Sequence, residues 1–514
     1  MPDTRPASPL YRCAQIRAIE AQAQSTLAPG TLMRRAGLAA ATLAQQMLGQ
    51  RPGQGAKVLA LAGPGNNGGD ALEAVHHLAQ AGVDVTVLLF ADPRRYSADA
   101  ASAFARASAA KARIVDTDQL ETLAAGKWSL VIDGLFGIGL QRPLAGLLRT
   151  LVESVNALPC PRLALDLPSG LDADSGNVVG GNAVESGVAI RASQTLTFLA
   201  DKPGLHTGAG RDHAGQVSVD HLGIDPALFP AAQLHVNAPA LFLQALPQRR
   251  HASHKGTHGS VAILGGASGM GGAVILSGRS ALYCGAGRVY AGFLGPAPDF
   301  DPVQPELMCR AAQALLSMAA TTAIGPGLGT SSEAAELLRQ SLQTQEALVV
   351  DADALNLLAQ KPTLQRALAQ RTAPTLLTPH PLEAARLLGS DAATIQDDRL
   401  RAAAEIARRF NAIAILKGSG SIIAHPNGAA VINSSGNPGL ASAGTGDVLT
   451  GICAALLAQA MPPWEAALAA VWIHGAAADR LLAQGTGPIG LCASELMPAM
   501  RAVINRLAAR AASA

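Results

Sequence analysis

Three short apolar runs of the sequence are each followed by a residue whose side-chain oxygen could bind a cation. These residues are Asn67, Asp133 and Ser169. Ligands of open α/β sheets bind beyond the carboxyl ends of the strands, so these side chains are predicted to meet at one sheet edge. Oxygen ligands without histidine or cysteine suit a hard cation rather than zinc. Taken alone, each residue is more commonly a turn or cap residue, but the coincidence at three strand ends favours a site.

The glycine-rich turn that contains Asn67, GPGNNGGD at 63–70, has three interpretations. Its glycines have the G-x-G-x-x-G spacing of a dinucleotide-binding turn, and Asp92 follows near the spacing of a ribose contact. Asp70, however, would face the phosphates and repel them. A turn capped by Asn and Asp, with no ligand, is the second interpretation. The third is a polar pocket for an uncharged polar ligand or a weakly charged cation, and we favour it.

A second candidate for chemistry is the turn Gly444-Thr445-Gly446-Asp447, which leads into an apolar, Ala/Leu-rich run typical of a helix. The backbone N–H groups of such a turn and the positive end of the helix dipole bind phosphate. Asp447 beside that anion site can deprotonate a substrate hydroxyl for phosphoryl transfer. Alternatively, Asp447 only caps the helix. Lys417 with its neighbouring glycines adds a second phosphate-friendly stretch, which favours the catalytic interpretation.

The elements that must position these residues are short β-branched runs that alternate with Ala/Leu-rich runs, a pattern typical of parallel sheets covered by helices. The pattern lapses between Asp225 and Pro247, and the chain after Thr445 is predicted to be largely helical. We therefore predict two three-layer α/β/α domains, a Rossmann-like domain at 1–228 and a second domain at 247–514, joined by a linker at 229–246. The strand candidates are KVLALAG, VDVTVLLF, ARIVDT, LVIDGLFG, RLALDLPSG, QTLTFLA, GQVSVDHLG, SVAILGGA, RVYAGFLG, TTAIGPG, ALVVDAD, TLLTPH, AIAILKGSGSIIA and AAVINSS.

The composition excludes several classes of partner. A net charge of +2 with 3% aromatic residues does not suit a nucleic-acid groove, which needs a basic stripe and stacking platforms. The start of the chain has no apolar core of a signal peptide, and no later run approaches an uninterrupted membrane span. The six cysteines are scattered without a C-x-x-C pair, as in reduced cytosolic proteins. We expect a cytoplasmic homo-oligomer with no nucleic-acid and no membrane partner.

The first half resembles the NAD(P)H-hydrate epimerase family, the YjeF N-terminal domain, over residues 8–225. The stretches GPGNNGGD, DGLFGIGLQRPLAG, DLPSGLDADSG and TLTFLADKPGLHTGAGRDHAG carry the resemblance in the family's order. The resemblance implies epimerisation at C6 of hydrated NADH and NADPH (NADHX and NADPHX), with potassium at Asn67, Asp133 and Ser169. Ile138 stands where the family commonly has threonine. The residues that would bind the hydrate are Asn66, Asn67, Gly68, Gly69, Asp70, Gly137, Ile138, Gly139, Leu140, Gln141, Arg142, Pro143 and Asp166.

The epimerisation itself requires a hydroxyl next to nitrogen to leave and water to return on the other face of the ring. The nitrogen lone pair assists departure and gives an iminium-like state. An acid/base group must protonate the leaving oxygen, and a carboxylate can stabilise the cation. We assign the carboxylate to Asp166. Lys202, in ADKPGL, is its candidate partner, either favouring ionised Asp166 or acting on the substrate; the alternative is a solvated loop lysine.

The second half resembles the ribokinase-like superfamily and, within it, the ADP/ATP-dependent NAD(P)H-hydrate dehydratase family, over residues 245–508. The stretches SHKGTHG, GGASGMGGA, GPGLG, DADALN, TPHPLEAARL, KGSGSII and NPGLASAGTGDVLTG carry this resemblance. It implies ADP as co-substrate, with magnesium. Asp351 and Asp353 are expected to be loop caps or water-mediated neighbours of magnesium. The hydrate would lie near Ala273, Gly327, His380 and Asp447, and the nucleotide near Lys417, Gly418, Ser419, Gly420, Ser421 and Gly446.

Together the resemblances predict a bifunctional repair enzyme. The first half would interconvert R- and S-NAD(P)HX, and the second would dehydrate the S form with ADP, releasing AMP and phosphate. Phosphorylation turns the C6 hydroxyl into a good leaving group; Asp447 would activate the hydroxyl, and the 444–446 turn would stabilise the transferring phosphoryl group. His380 could instead be only structural. The alternatives are a small-molecule kinase fused to a dinucleotide-binding domain, an NAD-dependent oxidoreductase in the first half, and a nucleotide-sensing binding module.

Overall fold

The computed structural model describes residues 7–49, 55–119, 126–181, 187–316 and 318–513. Two compact units divide the chain: one is Pro9–Ala232, and the other contains Gln233–Ala514. Each unit is built on its own sheet, which is wholly or mainly parallel and is covered by helices. The predicted α/β class with two such domains is confirmed.

Within the described residues, the first unit has a seven-stranded sheet in the order β3-β2-β1-β4-β5-β6-β7, and every pair is parallel. The strand order reverses between β1 and β4, where a doubly wound sheet opens a crevice. The strands are β1 Lys57–Ala62, β2 Asp84–Leu89, β3 Arg113–Val115, β4 Leu130–Gly134, β5 Arg162–Leu165, β6 Gln194–Phe198 and β7 Gln216–Asp220. The helices are α1 Cys13–Gln24, α2 Thr31–Leu48, α3 Asn66–Gln80, α4 Ala98–Ala109, α5 Leu147–Ala157 and α6 Gly210–His213.

Strand β1 shows why the central runs are apolar on both faces. Val58 and Ala60 belong to a hydrophobic cluster that includes residues of α1, α2, α3 and α4, whereas Leu59 and Leu61 belong to a second cluster with residues of α5. Helices cover both sides of a parallel sheet, so alternate residues of the same strand are all buried. Because both faces of the strand are covered, polar side chains can group together only beyond its carboxyl end.

The second unit has a ten-stranded sheet among its described residues, in the order β11-β10-β9-β12-β13-β14-β15-β16-β17-β8. Only β16 runs antiparallel to its neighbours, and the order reverses between β9 and β12. The strands are β8 Leu234–Val236, β9 Ser260–Gly265, β10 Arg288–Phe293, β11 Met308–Ala311, β12 Thr321–Ile324, β13 Ala347–Val350, β14 Thr375–Leu377, β15 Ile413–Leu416, β16 Ile422–Ala424 and β17 Ala430–Ile432. The helices are α7 Gly271–Tyr283, α8 Ser332–Ser341, α9 Ala352–Gln360, α10 Pro362–Ala369, α11 Pro381–Leu388, α12 Ala392–Asp397, α13 Arg399–Phe410, α14 Thr445–Ala458, α15 Pro463–Ala483 and α16 Leu496–Ser513.

Two edge strands differ from the sequence expectation. Strand β8 lies inside 229–246, the segment predicted as a linker, and pairs with β17. Strand β11 pairs with β10 at the other edge of the sheet. Both have only three or four residues and a partly exposed face, so neither shows the sustained apolar pattern by which the other strands were recognised.

Helix α15 also differs from expectation, because by length and composition alone it could cross a membrane. In the structure 67% of its apolar window is buried inside the second unit, and Trp472 and Ile473 belong to that unit's main hydrophobic cluster. Its apolar character is therefore that of a core helix. The six cysteines are free thiols, and four of them, Cys160, Cys284, Cys309 and Cys453, are buried.

The buried Arg371 guanidinium joins the segment before β14 to the segment before β13. We expect Arg371→Met to lower the free energy of unfolding by about 3 kcal/mol, because several buried acceptors would lose their donor. Arg371 donates hydrogen bonds to four backbone carbonyls, those of Ser341, Leu342, Thr344 and Glu346. Urea titration followed by tryptophan fluorescence measures the change. Arg408→Met, which removes only an exposed pair with Glu405, should change it by less than about 0.5 kcal/mol. Equal effects of the two variants would contradict the anchoring role.

Candidate functional site

A cavity of about 490 Å³ opens at the carboxyl ends of the central strands of the first unit. The loops after β1, β4 and β5 line it together with α1 and α2. It lies where the strand order reverses, which is the expected position in a doubly wound sheet. The predicted site residues in its lining are Asn66, Asn67, Asp70, Gly137, Ile138, Gly139, Leu140 and Asp166.

Other predicted hydrate-binding residues are placed near the cavity but are not among its described lining residues. A Cβ atom at Gly68 would lie 2.0 Å from the Gly63 carbonyl oxygen, and one at Gly69 would lie 2.5 Å from Met33 Cε. Gly68 is therefore required by the packing of α3 against the turn, whereas a side chain at Gly69 would have to displace the end of the Met33 side chain. For Gly68, Gly69, Gln141, Arg142 and Pro143, contact with a hydrate stays a prediction.

Asp166 and Lys202 form an ion pair at the base of this site. The Lys202 ammonium lies 2.7 Å from Asp166 Oδ1 and donates to Thr197 Oγ1 at 2.6 Å and to the Phe198 carbonyl at 3.1 Å. The Lys202 side chain is fully buried, so the alternative of a solvated loop lysine is wrong. Asp166 has a φ of 62°, a left-handed conformation that a non-glycine residue adopts at some cost, and its N–H donates to the Leu196 carbonyl.

The three predicted cation ligands fit a hard cation. Asp133 is fully buried, and burial raises its pKa to about 6 although it accepts hydrogen bonds from the Ser169 N–H at 2.8 Å and the Ser169 hydroxyl at 2.6 Å. The Asn67 amide is buried, and neither its oxygen nor its nitrogen has a hydrogen-bond partner among the described residues. The Asn67 backbone carbonyl lies close to Gly134, the neighbour of Asp133, where a Cβ atom would be 2.8 Å from that oxygen. A cation would satisfy the orphaned amide oxygen and the buried carboxylate together.

Three more carboxyl groups line the cavity, those of Glu20, Asp70 and Asp99. Burial and then the nearby Asp166 raise the pKa of Glu20, against the effects of Lys202 and Arg17. Burial, Asp166 and Glu20 raise the pKa of Asp70 well above its usual value. Glu20 was missed from the sequence. The available signal was its place on the face of α1 that also carries the buried Ile16, Ile19 and Ala23.

In the second unit, Lys417 is the centre of a charged network at the carboxyl ends of β13 and β15. Its ammonium lies 2.8 Å from Asp351 Oδ1 and 4.0 Å from Glu383 Oε2. The Thr450 hydroxyl donates to Asp351 Oδ2 at 2.6 Å. Burial acts to raise the pKa of Asp351, but Lys417 and the hydrogen bonds hold it below its usual value. Asp351 occupies the N-cap position of α9, but its side chain makes no capping hydrogen bond, contrary to the loop-cap expectation, because the carboxylate is turned to Lys417. Its water-mediated contact with magnesium stays a prediction.

Asp447 lies in the first turn of α14 beside this network. A Cβ atom at Gly446 would lie 3.5 Å from Lys417 Nζ, so the ammonium is adjacent to the glycine turn. Burial, followed by the charge of Asp351, raises the pKa of Asp447 to about 7, while Lys417 opposes the rise. The Ser277 hydroxyl donates to the Asp447 carbonyl and holds α14 against α7. The arrangement combines a carboxyl group that titrates near neutrality with a helix N-terminus and a lysine.

His380 is the N-cap of α11. The ring Nδ1 accepts from the backbone N–H groups of Leu382 and Glu383 at 3.1 and 3.3 Å, and the backbone N–H of His380 donates to Glu383 Oε2 at 2.8 Å. This assigns the ring proton of neutral His380 to Nε2, which lies 3.3 Å from Glu383 Oε1. Burial and then Lys417 lower the pKa of His380. The structural role is therefore present, and the predicted substrate contact stays a prediction.

The remaining predicted residues lie on neighbouring loops of the same sheet edge. A Cβ atom at Gly327 would lie 3.4 Å from that of Ala273, so these two residues adjoin. The Gly418 N–H donates to Ser421 Oγ and closes the turn 418–421, which also contains Ser419 and Gly420. Asp353 accepts from the Gly329 N–H at 2.8 Å and ties the loops after β12 and β13 together. Nucleotide binding by the turn stays a prediction.

Comparison with known proteins agrees with both halves. Residues 29–204 match the family described as YjeF-related protein N-terminus, and residues 261–500 match NAD(P)H-hydrate dehydratase. The bifunctional NAD(P)H-hydrate repair enzyme Nnr of Coxiella burnetii is 36% identical over 510 residues, which cover 96% of this chain and 99% of that protein. The chain belongs to the bifunctional NAD(P)H-hydrate repair enzyme family.

The repair enzyme Nnr of Escherichia coli is also 36% identical, over 87% of this chain and 85% of its own. Among solved structures, the ADP/ATP-dependent NAD(P)H-hydrate dehydratase of Bacillus subtilis, co-crystallised with ATP and Mg²⁺, is 31% identical. It covers 52% of this chain and 96% of its own, with a TM-score of 0.46. Membership of the repair enzyme family favours the bifunctional interpretation over the kinase, oxidoreductase and binding-module alternatives.

In this repair enzyme, breaking the Asp166–Lys202 pair should be costly and non-additive. We expect Lys202→Met to lower the free energy of unfolding by about 3 kcal/mol, because it removes the cation that a mostly buried carboxylate is paired with. The double variant Asp166→Asn/Lys202→Met should lose about 2 kcal/mol less than the sum of the single variants. Urea titrations of the four proteins measure this coupling.

The control for this cycle is Lys57→Met, at the exposed start of β1, which should change the free energy of unfolding by less than about 0.5 kcal/mol. Strict additivity of Asp166→Asn and Lys202→Met would show that the two charges do not interact and would contradict the ion pair.

Proposed function

We propose that residues 247–514 dehydrate S-NADHX and S-NADPHX with ADP as phosphoryl donor, and that residues 1–228 interconvert the R and S hydrates. The observation that carries the dehydratase assignment is the position of Asp447, where a carboxyl group of raised pKa lies beside a glycine turn, a helix N-terminus and the Lys417 ammonium. These are the parts that phosphoryl transfer to a hydroxyl requires: a base and preorganised positive charge.

The dehydration proceeds in two steps. Asp447 takes the proton of the C6 hydroxyl as its oxygen bonds to the terminal phosphorus of ADP and AMP departs. The ring nitrogen then gives its electron pair to a new C=N bond, and the C6–O bond breaks with its electrons going to phosphate. The C5 proton passes to water, the C5–H electrons form the C5=C6 bond, and the C=N electrons return to nitrogen, which restores the dihydropyridine. The 444–446 turn and Lys417, held by Asp351 at 2.8 Å, stabilise the transferring charge. Magnesium bound to the phosphates of ADP would supply counter-charge to them.

The pKa of Asp447 predicts a pH dependence of dehydration. A pKa raised from 3.8 to about 7 leaves the group protonated below that pH, where it cannot accept a proton, and ionised above it. We expect kcat/KM for S-NADHX to fall about tenfold per pH unit below pH ~7 and to be level above it. Asp447→Asn should lower the rate at least ~100-fold and abolish this limb.

The rate of dehydration is measured as recovery of the absorbance of reduced nicotinamide, together with free phosphate. Asp299→Asn, an exposed loop substitution in the same unit, is the matched control and should keep wild-type kinetics. Unchanged turnover by Asp447→Asn would refute the assignment, and accumulation of a stable phosphorylated product would support the small-molecule kinase instead.

The epimerase assignment rests on the cavity at the β1–β4 crevice. Departure of the C6 hydroxyl leaves positive charge on the ring nitrogen and C6, and the Asp166 carboxylate at the cavity wall is placed to stabilise it. Lys202 is tied to Asp166, Thr197 and Phe198, so its proposed role is to position the Asp166 carboxylate rather than to touch the substrate. Water then returns to C6 from the opposite face.

Potassium is the cation that we propose for the site formed by Asn67, Asp133 and Ser169. The orphaned Asn67 amide and the buried Asp133 carboxylate support a hard, oxygen-bound ion there. Such an ion would neutralise Asp133 and fix the ends of the loops after β1, β4 and β5, which carry the residues of the cavity wall.

We expect potassium chloride to raise both the epimerisation rate and the thermal midpoint relative to choline chloride at equal ionic strength. An ion that binds only the folded state stabilises that state, and the stabilisation grows with the logarithm of the ion concentration once this exceeds the dissociation constant. Asp133→Asn should remove the thermal shift and lower the rate at least ~10-fold. Asp84→Asn, at the exposed start of β2, should retain both responses. Equal rates in potassium and choline would contradict the site, and an equal response to sodium would replace potassium by a less selective ion.

A further inference from the structure

Four carboxyl groups line the cavity of the first unit, each from a separate element: Glu20 from α1, Asp70 from α3, Asp99 from α4 and Asp166 from the loop after β5. Asp99 lies against the turn before α2, where a Cβ atom at Gly30 would be 3.3 Å from its Oδ1. The Asn67 side chain lines the same cavity, is more than nine-tenths buried, and has no hydrogen-bond partner among the described residues. A cavity with an orphaned amide and several acids is built for a polar ligand, and only Asp166 has so far been given a chemical role.

The acids that line the cavity differ in how closely a positive charge approaches them. The Lys202 ammonium is 2.7 Å from Asp166, whereas Glu20 accepts a neutral hydrogen bond from Gln24 Nε2 at 3.2 Å. Arg17, one turn before Glu20 on α1, donates to the Ile138 carbonyl at 3.2 Å. Lys202 therefore pairs directly with Asp166, while the charge of Asp166 acts on Glu20 and Asp70.

Burial and the charge of Asp166 raise the pKa of both Glu20 and Asp70, and Glu20 also raises that of Asp70. Where one buried carboxylate raises the pKa of another, the two are not readily ionised together, so one can serve as an acid while the other serves as a base. A lysine-paired carboxylate beside such acids is the arrangement expected where a cation forms and a proton must be both given and taken.

We propose that Glu20 and Asp70 are the acid–base pair of the epimerase, each serving one face of the hydrated ring. This inference rests on the proposed epimerase function and names the groups that move its protons. One carboxyl group gives its proton to the C6 hydroxyl as the C6–O bond breaks and the nitrogen lone pair forms the C=N bond. The other carboxylate takes a proton from the water that bonds to C6 from the opposite face. The roles exchange in the reverse direction, and Asp166 balances the intermediate cation in both.

The test follows exchange of the C6 hydroxyl oxygen with water labelled with heavy oxygen, separately for R- and S-NADHX, with the complete chain and without ADP. In the wild type both epimers should exchange and interconvert. Glu20→Gln should lower epimerisation at least ~100-fold and stop exchange of one epimer, while the other epimer still exchanges with retention of configuration through Asp70. Asp70→Asn should show the opposite selectivity.

Three measurements separate this inference from loss of structure and from failure of the proposed function. Both variants should keep wild-type thermal midpoints and wild-type ADP-dependent dehydration of S-NADHX by the second unit of the same chain. Glu153→Gln on α5, an exposed residue paired with Arg149, should match the wild type in every assay. A wild type that does not epimerise would overturn the proposed function. An epimerising wild type whose variants lose exchange of both epimers equally, or lose neither, would overturn the acid–base pair.

Discussion

A lysine ammonium buried against a strand-end carboxylate is the interaction on which both sites depend. Lys202 lies 2.7 Å from Asp166 in the first unit, and Lys417 lies 2.8 Å from Asp351 in the second. Removing two charges from water is costly, so a buried ion pair need not add net stability. We interpret these two pairs as holding charge at a defined position in each site. In both units the carboxylate that holds the lysine lies near acids whose pKa values are raised. The lysine-paired carboxylate of each site is thereby distinguished from the acids that we propose to carry protons.

The parallel sheets explain why these groups meet. Helices cover both faces of each sheet, which leaves the carboxyl edge as the place where polar side chains from several strands can converge. In the second unit the loops are locked together by close backbone contact: a Cβ atom at Gly325 would lie 1.8 Å from the Asp351 carbonyl oxygen. Because the loops after β12 and β13 touch in this way, the position of Asp351, and through it that of Lys417, is set by the packing of the sheet.

The sequence was sufficient for the class of fold and for the loops of both sites, because long apolar runs and glycine turns are local signals. It was insufficient where a side chain's role depends on a partner far along the chain. Lys202 could be solvated or buried on local pattern alone, and Asp351 looked like a cap until its partner Lys417 was placed. Glu20 was overlooked because an acid on the buried stripe of a helix is recognisable only when that stripe is mapped. The short edge strand β8 lacked any periodic signal.

The two chemistries differ in what they demand of their acids. Epimerisation is reversible and needs no energy source, so a proton can be shared between two groups and returned. Phosphoryl transfer needs a base that is ionised when ADP is bound. The proposed base, Asp447, lies near Asp351, whose charge opposes its ionisation. Lys417 resolves the conflict, because it neutralises Asp351 and stands next to the 444–446 turn, so that Asp447 retains a pKa of about 7 rather than a still higher one. The second activity is expected to consume only the S hydrate. Its removal shifts the reversible epimerisation toward the S form, and free diffusion of the hydrates is sufficient for this.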